Sequence, residues 1–125
     1  MDYKIRWAKV DDAEGLGYVH TKSWQAAYKD IVPDEVLKNI NIEERQKRFE
    51  KAIKNQEEEN AVLIVDKEIV GFITLGRCRD DDFDDTVGEI WGIYLLSSYW
   101  GRGLGSALIS WGIEELKNRG YEKVT

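Results

Sequence analysis

A glycine-rich segment is the clearest chemical signal in the sequence. It reads Tyr99-Trp100-Gly101-Arg102-Gly103-Leu104-Gly105-Ser106 and lies between a strand-like and a helix-like segment. Glycines allow a tight turn and a close approach of the backbone to a ligand. The free N–H groups at a helix start attract an anion, while Arg102 adds a charge and Ser106 a hydroxyl donor. The segment therefore indicates a phosphate-binding loop, and a pyrophosphate is its natural ligand.

Three known phosphate loops can be compared with this segment. A Walker A loop ends in Gly-Lys-Ser or Gly-Lys-Thr, whereas Gly105 is followed directly by Ser106. A Rossmann fingerprint needs G-x-G-x-x-G, whereas these glycines stand at alternate positions. The acyl-CoA loop Q/R-x-x-G-x-G/A fits Trp100-x-x-Gly103-x-Gly105, with tryptophan replacing the usual first residue. An ordinary glycine-rich turn is the remaining alternative.

The acyl-CoA loop leads to a family resemblance. Gly88-Glu89-Ile90-Trp91, Ile93-Tyr94-Leu95 and the glycine loop are similar to the central strand and CoA loop of the GNAT superfamily of acetyl-CoA-dependent N-acetyltransferases. His20–Tyr28 and Ile31-Val32-Pro33 resemble the first helices of many small bacterial members. The resemblance covers essentially the whole chain and is least specific between Asn41 and Ala61. It implies an α/β (α+β) fold with a mixed, mostly antiparallel central sheet flanked by helices, and acetyl-CoA as co-substrate without a metal.

The same resemblance implies how acetyl-CoA is bound. The backbone of Ile93, Tyr94 and Leu95 would pair with the pantetheine arm as an added strand does. The strands that begin at Thr86 and Tyr121 would splay apart and leave a groove for it. The pyrophosphate would be held by the main chain of Trp100, Gly101, Arg102, Gly103, Leu104, Gly105 and Ser106.

The implied reaction is direct attack of a primary amine on the acetyl thioester. Such an amine, with a pKa of about 10.4, costs about 4 kcal/mol to deprotonate at pH 7, so a general base is expected. Glu89 is the candidate, because it matches the acidic residue frequent on the central strand of the family. A strand carboxylate that faces solvent or pairs with an arginine is the alternative. Strict alternation puts Glu89 on the face of Val87, Trp91 and Ile93, and a bulge would shift the faces.

Other side chains are weaker candidates. Trp24 and Tyr28 lie four residues apart on one helical face and either line the acceptor pocket or serve as core and interface aromatics. His20, the only histidine, is either a base or a packed or solvent-facing residue of the helix. Cys78 is expected to be structural, because no partner pattern for a nucleophile surrounds it. The acidic loop Asp80–Asp85 either attracts a cationic amine or is simply solvated, and it lacks the glycine of an EF-hand.

The composition of the chain limits the classes of partner that we expect it to bind. The net charge of −6 disfavours nucleic acid and anionic membranes, and with them a toxin-type enzyme that acts on charged tRNA. The single cysteine excludes an internal disulfide. The polar N-terminus and the lack of a long apolar run lead us to expect a cytoplasmic protein. The expected partner is a small-molecule or peptide amine, which the sequence does not identify.

The elements that position the loop follow from hydrophobic periodicity and turn residues. The first elements are a strand Tyr3–Ala8, a helix capped by Asp11 and Glu14 that reaches Ala27, a short helix Asp34–Ile40 after Pro33, and a helix from Asn41 and Glu44 to about Asn55. Strands Ala61–Val65, Ile69–Arg79 and Thr86–Leu96 follow. The last elements are a helix Ser106–Arg119 and a strand Tyr121–Thr125. Hairpins followed by one β-α-β crossover predict a mixed sheet.

The resemblance also raises an expectation about the chain's extent. Family members usually continue past the Tyr121 strand into a helix and two more strands, which commonly supply an Asn near CoA and a Tyr that protonates the thiolate. Residues 1–125 are therefore interpreted as a single GNAT-like domain that is C-terminally incomplete. The Tyr121 strand would then be an exposed edge, which favours a homodimer. An acyl-CoA-binding module without turnover is the alternative function.

Overall fold

The computed structural model describes residues 2–39, 41–55, 59–77 and 87–124. Cys78 and the acidic loop Asp80–Asp85 lie outside these ranges. The helices are α1 (Ala13–Ala27), α2 (Asp34–Lys38), α3 (Ile42–Lys54) and α4 (Leu104–Asn118). The strands are β1 (Lys4–Trp7), β2 (Glu59–Val65), β3 (Glu68–Arg77), β4 (Val87–Leu95) and β5 (Lys123–Val124). Short 3₁₀ turns at Val10–Asp12 and Ser97–Tyr99 precede α1 and the glycine loop.

The strands form one five-stranded sheet in the order β1-β2-β3-β4-β5. The first four strands are antiparallel to their neighbours, and β5 lies parallel to β4 after the α4 crossover. Asp66 and Lys67 join β2 to β3 with φ angles of 50° and 69°, as a two-residue hairpin turn of the I′ type requires. The predicted mixed, mostly antiparallel sheet is confirmed.

Hydrophobic residues cover both faces of the sheet. On one face, α4 packs through Leu104, Leu108 and Leu116 onto the sheet residues Ile73 and Leu75. On the other face, Phe72 belongs to a second buried cluster that includes Leu16 and Val19 of α1 and Phe49 of α3. Of the residues of α3, only Phe49 and Ala52 are buried, so this helix lies outermost, as its narrow apolar face predicts. None of the described helices has the length and apolar content that a bilayer span requires.

Two helix starts differ from expectation. The Asp11 cap is wrong: α1 is preceded by a 3₁₀ turn, and Asp12 accepts hydrogen bonds from the Lys9 backbone N–H at 2.7 Å and from Arg6 at 2.7 and 3.0 Å. Asp12 occupies the N-cap position of α1, but its side chain makes no capping bond to that helix. The capping-box pattern favours Asp11, because Glu14 follows it by three residues whereas Gly15 follows Asp12, and the contact of Asp12 with Arg6 of β1 outweighs this local pattern. Helix α4 begins at Leu104, two residues before the predicted Ser106. The Asn41 cap is confirmed, since its side chain accepts from the Glu44 N–H at 3.1 Å.

The middle of β4 contains a β-bulge. Thr74 of β3 pairs with Gly92 and Leu75 pairs with Ile90, so Trp91 is the extra residue of β4. Its ring lies over Gly76 of β3. A bulge of this kind changes which face of the sheet the residues on either side of it occupy.

Candidate active site

The glycine loop takes backbone angles that suit glycine. Gly101 and Gly103 have φ angles of 74° and 80° and face open space. L-residues other than glycine are strained in this region. Gly103 is the N-cap of α4 and no side chain caps the helix there, so the first-turn N–H groups are open to a ligand. The Arg102 guanidinium lies 5.5 Å from the centre of the Tyr99 ring.

The end of β4 carries the main-chain segment that is expected to pair with pantetheine. Strand β5 pairs with Val87 and Gly88 at the start of β4, and the splaying of the two strands beyond these residues stays a prediction. The Leu96 N–H donates to Val70 of β3 at 2.9 Å. Because backbone groups alternate along an antiparallel strand, the main chain of Leu95 and Ile93 then points away from β3. The Leu95 carbonyl points away from β3 as expected, because it accepts a hydrogen bond from the Trp100 indole N–H at 2.8 Å.

A cavity lies between this edge and α1. We call it the groove cavity. It has a volume of about 360 Å³. The aromatic and strand residues that line it are Trp24, Tyr28, Ile93, Tyr94, Leu95 and Trp100, with the small residues Ser23 and Ala27 of α1 among them. The Trp24 and Tyr28 rings are 4.7 Å apart. The fold thus brings the two residues expected for the acceptor together with the strand expected for pantetheine.

The bulge decides the position of Glu89. Glu89 pairs with Gly76 of β3, and alternation along β3 puts Gly76 on the same face as Thr74. Since Thr74 pairs with Gly92, Glu89 shares a face of the sheet with Gly92 and Tyr94, and Ile93 is on the other face. Strict alternation, which grouped Glu89 with Ile93, is therefore wrong in this strand. The carboxylate is half-buried and lies on the sheet face covered by α1 and α3.

A second, smaller cavity lies on that face. We call it the arginine cavity. It has a volume of about 140 Å³. Its polar lining comes from His20, Arg48 and Thr74, and the bulge residues Trp91 and Gly92 form one wall. Tyr94 also lines it, so this residue separates the two cavities.

His20 packs within this region as a neutral imidazole. Its ring centre lies 4.7 Å from that of Tyr94 and 5.7 Å from that of Phe49. Arg45 donates to its Nδ1 at 2.6 Å, which requires Nδ1 to be unprotonated. Burial, together with the charges of Arg45 and Arg48, lowers the pKa of His20 to about 4. The histidine therefore holds Arg45 in place at neutral pH and carries no charge of its own.

Acidification is expected to destabilise the wild-type chain more than a His20→Gln variant. The unfolded histidine takes up a proton near pH 6.5, but the folded one does so only near pH 4. Between these values the unfolded state binds more protons, so the free energy of unfolding falls as the pH falls. Allowing for partial exposure, the extra loss between pH 7 and pH 5 is about 1 kcal/mol. Urea unfolding of both proteins at the two pH values measures it, and equal losses would contradict the buried neutral state.

Several residues of the site had not been expected from the sequence. They are Arg45, Arg48 and Phe49 of α3, Phe72 and Thr74 of β3, and Trp91 and Gly92 at the bulge. The spacing of Arg45, Arg48 and Phe49 at three and four residues is a signal that they share a helix face. Among the described residues no group of acidic, histidine and cysteine side chains could hold a metal ion.

Comparison with known proteins gives consistent results. The pattern of the acetyltransferase (GNAT) family matches residues 10–125. The uncharacterised N-acetyltransferase YuaI of Bacillus subtilis is 30% identical over 122 residues, which are 96% of this chain and 68% of the relative.

Solved structures share the fold. The PaiA N-acetyltransferase of Thermoplasma acidophilum in complex with coenzyme A superposes with a TM-score of 0.75 at 23% identity, covering 97% of this chain and 76% of the other. A ribosomal-protein-alanine N-acetyltransferase of Brucella melitensis gives a TM-score of 0.72 at 20% identity, covering 99% and 78%.

Proposed function

The chain belongs to the acetyltransferase (GNAT) family, and from this premise we propose that it transfers an acetyl group from acetyl-CoA to a primary amine of a small molecule or peptide by direct attack. Acetyl-CoA is the co-substrate of this proposal. The loop from Trp100 to Ser106 would hold its pyrophosphate. Within the expected segment Ile93–Leu95, the main chain of Ile93 and Leu95 would pair with its pantetheine arm, since that of Tyr94 faces β3.

The groove cavity is the observation that carries the proposal. It is lined by Ile93, Tyr94 and Leu95 at the end of β4 and by Trp100 of the glycine loop. A linear thioester that is anchored by its pyrophosphate at the loop would run along this edge toward the bulge. Trp24 and Tyr28 line the cavity from α1, so an acceptor between them and β4 would meet the thioester there.

In the proposed reaction the amine nitrogen attacks the thioester carbonyl carbon. A carbon–nitrogen bond forms, the carbon–sulfur bond breaks, and CoA leaves as a thiolate. The amine loses a proton to Glu89, directly or through one water. Support for Glu89 is its half-buried position on the same face of β4 as Gly92 and Tyr94.

The acceptor is the open part of the proposal. The Brucella protein is named for a protein alanine as its acceptor, but at 20% identity the likeness extends to the fold alone. The acceptor of this chain must therefore be inferred from its own cavities.

Thiol release in an amine screen tests the function. The chain is incubated with acetyl-CoA and a panel of small amines and peptides, and free CoA is detected with a thiol reagent. We expect release that depends on both acetyl-CoA and an amine. Binding of acetyl-CoA without release for any amine would support the acyl-CoA-binding module instead.

A further inference from the structure

We propose that the arginine cavity binds a carboxylate of the acceptor, so that the substrate class is amines that also carry a carboxyl group. The proposal rests on the proposed function, because it assigns the acceptor of that same reaction. It concerns a cavity that the acetyl-CoA site does not use. Its starting observation is the placement of Arg48 of α3 in a cavity that the bulge residues Trp91 and Gly92 of β4 also line.

The first step is the local charge. Arg48 lines the cavity. Arg45 is not among the lining residues, but it donates to His20, which does line the cavity. Neither arginine forms an ion pair with a carboxylate in the described parts of the chain. The net charge of the whole protein is −6, whereas the charge that Arg45 and Arg48 contribute here is positive. An arginine that lines a cavity and forms no ion pair with a described carboxylate favours an anionic ligand there.

The second step is the chemistry of the lining. Arginine presents a planar fork of donors that matches a carboxylate. Thr74 also lines the cavity, but its buried hydroxyl donates to Asn60 Oδ1, so Arg48 is the charged donor of the lining. The aromatic rings of Phe49 and Phe72 form apolar walls, which suit a short methylene chain. At roughly 30 Å³ for each water-sized group, the cavity volume holds a carboxylate and one or two methylenes.

The third step is the position relative to the reaction. Tyr94 lines both cavities. A ligand in the arginine cavity is therefore next to the side chain that also borders the proposed path of the thioester. Glu89 lies on the same sheet face as Gly92 and Tyr94. An acceptor with its carboxylate at Arg48 would therefore direct its amine toward Tyr94 and the thioester. Opposite charges at the two ends of the site match a zwitterionic acceptor.

The test uses the only histidine of the chain as a reporter. The ring resonances of His20 are followed by NMR while glycine, β-alanine or 4-aminobutyrate is added, each compared with its amide. We expect saturable shifts for at least one amino acid and none for its amide. Arg48→Gln should weaken this binding about tenfold or more, as expected for a lost charged hydrogen bond. Lys51→Gln, an exposed change on the same helix, should leave it intact.

Turnover supplies the second arm. Peptides with aspartate or asparagine next to a free N-terminus are compared with the same amino acids and amides. Preference for the aspartate peptide identifies a peptide acceptor, and preference for the free amino acid a small molecule. Arg48→Gln should lower kcat/KM about tenfold for carboxylate-bearing acceptors only.

Two failures can be distinguished. Equal binding and equal turnover of acids and amides would overturn the carboxylate assignment while the acetyl transfer stands. Saturable binding of the acid without any CoA release would support the cavity and contradict the proposed function. Absence of His20 shifts with every acid, in a chain that acetylates amines, would also overturn the assignment.

Discussion

Replacing Gly103 by tryptophan is expected to abolish measurable acetyl-CoA binding while the chain stays folded. Gly103 has a φ angle of 80° and caps α4. A side chain there projects into the space that the pyrophosphate would occupy and shifts the backbone N–H groups that would bind it. Loss of two charged hydrogen bonds of about 1.5–3 kcal/mol each weakens binding by a factor on the order of 100 or more. Calorimetric titration with acetyl-CoA measures the loss.

Gly120→Trp is the matched control. Gly120 also has a positive φ, 95°, and also faces open space, but it lies at the other end of α4. Both variants carry a similar backbone strain of about 1–2 kcal/mol, so a difference in binding between them reports on the loop. Unchanged affinity in Gly103→Trp would place the pyrophosphate elsewhere.

Glu89→Gln is expected to lower kcat by a factor of about 10²–10⁴, the usual contribution of a general base. The substitution keeps the size of the side chain and removes its ability to accept the proton. Affinity for acetyl-CoA should not change, because Glu89 is not among the residues that line the groove cavity. Steady-state CoA release with the best acceptor of the amine screen, together with titration of acetyl-CoA, measures both quantities.

The pH dependence separates a base from a structural carboxylate. As the pH rises toward the amine pKa of about 10.4, the acceptor loses its proton to solvent, so the deficit of Glu89→Gln should shrink. Glu68→Gln, an exposed change at the start of β3, is the control and should behave as wild type. A kcat for Glu89→Gln close to that of wild type at neutral pH would remove Glu89 from the mechanism.

The parts of the fold that local sequence determines could be predicted. The Asn41 cap and the hairpin of β2 and β3 depend on residues within a few positions of one another, and the structure has them where the sequence predicts them. The glycine loop also precedes α4 as predicted, although this helix begins two residues earlier than expected. The choice of Asp12 over Asp11 depends on Arg6, whose guanidinium approaches from β1. A contact of that kind is not visible in a local pattern.

The arginine cavity was still less predictable from local sequence patterns. Its residues come from α1, α3, β3 and β4, and Arg45 meets His20 across 25 positions of sequence. The bulge at Trp91 depends on the register between β3 and β4, which alternation within one strand does not specify. The sequence shows that Trp100 departs from the acyl-CoA loop pattern, but only the structure shows that its indole N–H donates to the Leu95 carbonyl.

Tyr94 has a consequence for how such a protein can diversify. The groove cavity and the arginine cavity both draw on α1 and β4, but α3 contributes only to the arginine cavity, and among the described lining residues only Tyr94 belongs to both. Under the proposed assignment, substitutions in α3 would alter the range of acceptors without changing the residues proposed to bind acetyl-CoA. A substitution at Tyr94 would change both cavities at once, so natural selection for a new acceptor could act on Arg48 but would be constrained at this tyrosine.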